Sequence, residues 1–99
     1  MATLHILSHS PYGDSSLRSC LRLLGREDAL LLSGDAVYAL QPDSQGWQAL
    51  HQIPSDIPLY ALAEDLAARQ LQAGERVQEV DYPAFVELCC HYAKVNSWL

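Results

Sequence analysis

A chain of 99 residues is the size of one compact domain, which excludes a second independent core. Apolar residues make up 49% and charged residues 18%, enough apolar mass to pack and too little charge for a disordered chain. Six Lys and Arg, scattered along the sequence, oppose twelve Asp and Glu; the net charge of −6 stays negative with all four His protonated, which argues against direct binding of nucleic acid.

Thr3 to Leu7 is a short apolar run closed by Ser8, Ser10, Pro11 and Gly13, the pattern of a buried strand ending in a loop. Asp14 is placed to cap a helix whose apolar stripe is Leu17, Cys20, Leu21 and Leu24, with Gly25 to end it and Arg18 four residues after Asp14 in the favourable order. Ala29 to Leu32 is too short for a helix and suits a strand buried on both faces. Between Asp35 and Ile57 the spacing predicts two short helices, one over Ala36 to Leu40 and one over Trp47 to Ile53. Ile57 to Ala61 reads as a third strand, followed by a helix that has Glu64 and Asp65 in its first turn and runs to about Gly74. Val77 to Val80 alternates as a strand does. Asp81 then caps a helix with Pro83 in its first turn and a stripe of Tyr82, Phe85, Cys89 and Tyr92, and Val95 to Leu99 adds an edge strand.

Short apolar strands alternating with helices imply a single α/β domain over residues 1–99, a small Rossmann-like layer sandwich with a mostly parallel sheet of four or five strands and helices on both faces. Covering both faces with such short helices is demanding, so size alone points to a partner subunit. No apolar stretch approaches the ~20 residues of a membrane helix, and Met1 to Ser10 lacks the basic start and apolar run of a signal peptide, so the expected compartment is the cytoplasm. Cys20, Cys89 and Cys90 are odd in number with two adjacent, the pattern of free thiols.

In open parallel sheets ligands bind beyond the carboxyl ends of the strands, here Ser8 to Asp14, Ser33 to Asp35, Leu62 to Asp65 and Val80 to Tyr82. A single glycine in Ser8 to Ser16 does not make a phosphate-binding loop, and no cofactor is implied. Cys20 is the candidate sulfur-bearing thiol. Its place on the apolar stripe, well past the first helical turn, equally suits a packed, inert side chain. Cys89, Cys90 and His91 are helical neighbours that point about 100° apart and do not converge on a metal. His5 and His9 share a strand face and form a candidate pair, or else one is structural and the other solvated. Glu64 and Asp65 are either a base pair or partners of a helix dipole. Trp98, next to the last residue, is expected to dock on the domain or on a partner.

Taken in order, Leu4-His5 with Ser10-Pro11, Asp28 to Leu32, Leu59 to Leu71 (LYALAEDLAARQL), Asp81-Tyr82 with Phe85, and Ser97-Trp98 resemble the TusB/DsrH family over essentially the whole chain. The resemblance implies a DsrE-like subunit that assembles with TusC-like and TusD-like subunits into a heterohexamer and serves a persulfide relay. In the Tus system the relay ends in 2-thiouridine at the tRNA wobble position; in the Dsr system it serves sulfur oxidation. The TusD-type thiol lies just after the third strand, where this chain has Ala63, Glu64 and Asp65. Carboxylates cannot carry a persulfide, so the departure implies a non-catalytic, architectural subunit with no catalytic residue, no cofactor and no metal. DsrH-type members have a cysteine in the first helix, which keeps Cys20 as a candidate sulfur carrier in the alternative, oxidative relay.

Overall fold

Four consecutive apolar residues, Ala29 to Leu32, are buried without exception and form the central strand of the sheet. The computed structural model describes residues 2–13 and 15–98. Its strands are β1 (Thr3–Leu7), β2 (Ala29–Leu32), β3 (Leu59–Leu62), β4 (Gln78–Val80) and β5 (Lys94–Trp98), all parallel, in the order β4-β3-β2-β1-β5. The connections are α1 (Ser16–Leu23), a 3₁₀ helix (Gly34–Leu40) with α2 (Gln45–His51), α3 (Ala63–Ala68) and α4 (Tyr82–His91). The expected α/β sandwich with helices on both faces is what forms, its four or five mostly parallel strands being five, all parallel.

Strand alternation sorts the core into two halves. Leu7, Leu30, Leu32, Leu59 and Ala61 point to the first face, where Leu17 and Cys20 of α1, Val37 and Leu40 of the 3₁₀ helix, Leu50 of α2 and Leu66 of α3 cover them. Leu4, Ala29, Leu31, Leu62 and Val80 point to the second face. Among the described residues α4 is the one helix that covers that side, through the partly buried Ala84, Phe85, Leu88 and Cys89, with Tyr92 just after it, and no residue of α4 is fully buried.

Several boundaries differ from the expectation. Ser15 stands at the start of α1 without a side-chain capping bond, and the expected cap, Asp14, lies outside the described residues. The first of the two short helices is a 3₁₀ helix. Strand β3 starts at Leu59, because Ile57 closes a turn with its N–H on the Pro54 carbonyl. Helix α3 stops at Ala68 and not near Gly74: Gln70 takes a left-handed φ of 56°, the Gln70 N–H bonds the Ala67 carbonyl, and the Leu71 N–H reaches back to Leu66 at 2.9 Å. That is a Schellman closure with Gln where Gly is usual, and Leu71, packed against the first core, supplies its apolar contact. Asp81 caps α4 as expected, accepting the Ala84 N–H at 2.9 Å. Tyr82 leaves the predicted stripe and is exposed.

Candidate functional site at the strand ends

The crevice beyond β2 and β3 is filled by the protein's own polar groups. Gly34, with φ at 51°, turns the chain out of β2 and presents its N–H to Asp65 Oδ2 at 2.7 Å. A Cβ at Gly34 would stand 3.2 Å from the Ser8 carbonyl, so the close approach and the left-handed φ both call for glycine. Arg69, one turn after Asp65, donates to Asp35 from Nη2 at 2.8 Å and from Nε at 3.2 Å, places Nη1 3.8 Å from Asp65 Oδ1, and lies over the Tyr38 ring. The hydrogen bond to Asp35 holds the guanidinium above its usual pKa. Glu64 is turned the other way, its Oε2 3.4 Å from the Tyr82 N–H at the start of α4. The two acids therefore do not act as a pair. Asp65 ties α3 to the loop after β2, and Glu64 faces α4.

Ser33 completes the closure, with its N–H and its hydroxyl both donating to the Leu7 carbonyl, at 2.9 and 3.0 Å. In the loop after β1, the Tyr12 and Gly13 N–H groups bond Ser10, and the Tyr12 hydroxyl donates to Gln41 at 2.7 Å. These donors are taken up by Ser10 and Gln41 and do not form an anion cradle.

Cys20 is fully buried in the first core. Burial, and then the nearby Asp28 charge, push its thiol up to about 12, so it is a neutral thiol throughout the physiological range. Cys89 is half-buried under α4, and burial followed by the neighbouring Cys90 raises it as well; Cys90 and His91 are exposed. Among the described residues, no three His, Cys, Asp or Glu side chains converge where a metal ion would sit.

His5 and His9 part company: His9 is exposed, and His5 is 5% exposed in the middle of β1. The partners of His5 are side chains. Its Nε2 lies 3.2 Å from Asp28 Oδ2, and its Nδ1 accepts the Trp98 indole N–H at 3.2 Å. An indole nitrogen can only donate, so Nδ1 carries the lone pair and the ring proton sits on Nε2, donated to Asp28. Asp28 also accepts the Thr3 N–H at 3.0 Å and the Gly25 N–H at 2.8 Å. Burial works to raise the Asp28 pKa, but the bonds from Gly25, Thr3 and His5 outweigh it and hold the carboxyl below its usual value. Trp98 thus docks on its own domain, through a chain that ties β5 to β1 and to the entry of β2.

Sequence reasoning singled out His5 and Trp98 but not their link through Asp28. Its signal was the second of two adjacent acids, directly before four apolar residues and three positions after a glycine. Arg69 was also missed, though it stands four residues after Asp65 in the favourable order.

These features define a class: a small, all-parallel α/β domain whose strand-end crevice is closed by its own carboxylates. The chain belongs to the DsrH-like family, whose model, described as DsrH like protein, matches residues 9–95. It is 39% identical over 97 residues to Protein TusB of Salmonella paratyphi B, covering 96% of this chain and 99% of that one. Protein TusB of Enterobacter sp. (strain 638) is 36% identical over 97 residues, with the same coverage. Among solved structures, the ychN protein from E. coli shares the fold, with a TM-score of 0.79 and 20% identity over 99% of this chain and 100% of that one. No helix among the described residues is long and apolar enough to cross a membrane.

Proposed function

We propose that this chain is a non-catalytic subunit of a cytoplasmic TusBCD-type sulfur-relay complex, built with TusC-like and TusD-like subunits into a heterohexamer that serves 2-thiolation of the tRNA wobble uridine. One observation carries the reading: the start of α3, where the TusD-type thiol would stand, holds Glu64 and Asp65, with Asp65 bonded to Gly34 and flanked by Arg69. A persulfide relay needs a nucleophilic sulfur that a donor can reach, and carboxylates engaged in holding a loop supply neither nucleophile nor space. The curated relatives named Protein TusB support the Tus assignment. The exposed Tyr82 and Val86 on α4, over a sheet face that this helix covers thinly, support a life inside an assembly.

The buried thiol of Cys20 weighs against the alternative, in which it accepts persulfide in an oxidative sulfur relay. Two measurements test the proposal. Co-expression with TusC-like and TusD-like subunits should yield one complex on affinity purification; separate elution of the three would sink it. Incubation of the chain alone with a persulfide donor should leave no sulfur adduct on Cys20 by intact mass and peptide mapping. An adduct present in the native protein and lost in Cys20→Ser would make the chain a carrier.

A further inference from the structure

The six basic residues look scattered in the sequence, yet three of them line one flank of the fold. From Ser15 to Arg26 the sequence holds Arg18, Arg22 and Arg26 at four-residue spacing and no acid. Arg18 and Arg22, four apart on α1, share a side of the helix, Arg26 lies in the turn that follows it, and all three arginines are exposed. None makes an ion pair among the described residues, whereas Arg69 is bound to Asp35 and Arg76 to the Pro54 and Ile57 carbonyls. Beside this row runs a groove between α1 and α2, formed by two hollows of about 360 and 290 Å³ that meet at Leu21 and Ala49. Its floor is apolar, with Leu21, Leu24, Ala49, Ile53 and Ile57, while Arg18 lines one hollow and Arg26 the other. No carboxylate lines either hollow among the described residues.

We infer that the α1–α2 groove is a docking surface for an acidic, amphipathic peptide segment of a partner protein, its apolar side chains on the leucine floor and its carboxylates on Arg18, Arg22 and Arg26. Charge complementarity selects this occupant. Guanidinium groups bind carboxylates in forked pairs, and an exposed basic edge with no ion pair among the described residues stands out on a chain of net charge −6. A second copy docked through the same patch would bring two sets of arginines together, with no carboxylate among the described groove residues to offset them. A nucleic acid would gain phosphate contacts at the edge but nothing from the apolar floor, against the repulsion of the whole chain. The groove lies on the first face of the sheet, away from α4, and the inference stands whether or not the sulfur-relay reading does.

Amide chemical shifts of the isotope-labelled full chain, titrated with a short synthetic peptide of Leu and Glu, test it. The expected result is saturable shifts at Leu21, Leu24, Ala49 and Ile53, weakened by salt and weakened at least about tenfold in the triple variant R18Q/R22Q/R26Q. The changes lie on exposed side chains, and an unaltered melting temperature of that variant verifies its fold. Shifts that are absent, map to α4 and β5, or persist unchanged in the triple variant overturn the inference. So does tighter binding of a Leu and Lys peptide or of a single-stranded RNA. Concentration-dependent self-association, seen by light scattering and abolished in the triple variant, would assign the groove to a second copy and equally overturn it.

Discussion

Leu30 and Leu31 are neighbours on one strand and both fully buried, yet they look into different halves of the molecule. Leu30 faces a half-core closed by α1, the 3₁₀ helix, α2 and α3, with ten or more buried side chains from strands, helices and loops. Leu31 faces a half-core of five buried residues roofed by α4 alone, a helix in which every residue keeps some solvent exposure. The same strands thus build one side that is finished and one that is not. A chain of this size cannot do both well from its own apolar residues: Tyr82, Val86 and Val95 are exposed on the thinly roofed side, and Leu23 of α1 is exposed on the other.

The sharpest way to break this contrast is a pair of truncations. Leu30→Ala removes a fully buried side chain from the finished side and should cost about 2–5 kcal/mol in urea denaturation, the range for a core cavity that cannot relax. Phe85→Ala removes a larger side chain from the unfinished side, where it is only partly buried, and should cost less than about 2 kcal/mol despite its size. Equal losses would mean that α4 is packed as tightly as the helices opposite.

The inner strands were legible because they are mostly apolar: Thr3 to Leu7, interrupted by His5, and Ala29 to Leu32 fall where hydropathy puts them. The α4 cap was equally plain, since Asp81 followed by Pro83 has one favoured geometry. The end of α3 was hidden because Gly74, the obvious stop, does also take a positive φ, while the working stop is Gln70, held left-handed by Leu71 folding back onto Leu66. Local propensity does not reveal a tertiary contact of that kind. The site was legible at the level of charge, in that acids stand at the start of α3. Their partners, Gly34 and Tyr82, come from distant positions and follow only from the crossover topology. The row of arginines was in the sequence all along, but only a groove beside it turns spacing into a surface.

Within the finished side, Asp28 is the polar element whose loss should matter next. Asp28→Asn keeps the shape but sets an amide N–H₂ against donors, since Thr3, Gly25 and His5 all direct protons at the carboxylate. The expected cost is about 1–3 kcal/mol at neutral pH. Because the folded pKa is depressed, the Asp28 contribution is fully present above the unfolded value of about 3.9 and disappears as the pH falls through the lower, folded value. Urea midpoints across the acid range should therefore fall less steeply in Asp28→Asn than in the parent. Parallel slopes would show that another carboxylate carries the acid sensitivity.

The smallest effect tests whether Trp98 is held by its indole proton or merely by its bulk. Trp98→Phe keeps an apolar ring against the rim of the first core but removes the donor to His5 Nδ1. The loss expected is about 0.5–1.5 kcal/mol, that of one ordinary, part-buried hydrogen bond. Its location should be more telling than its size. β5 pairs only with β1, and four of its five residues are exposed, so the amides of Val95 to Ser97 depend on that one anchored side chain. Faster hydrogen exchange confined to β5, with β2 and β3 unchanged, is the outcome that makes Trp98 a latch. Exchange that rises evenly across the sheet would make it another core residue, and the contrast between a tied edge and a packed centre would fail.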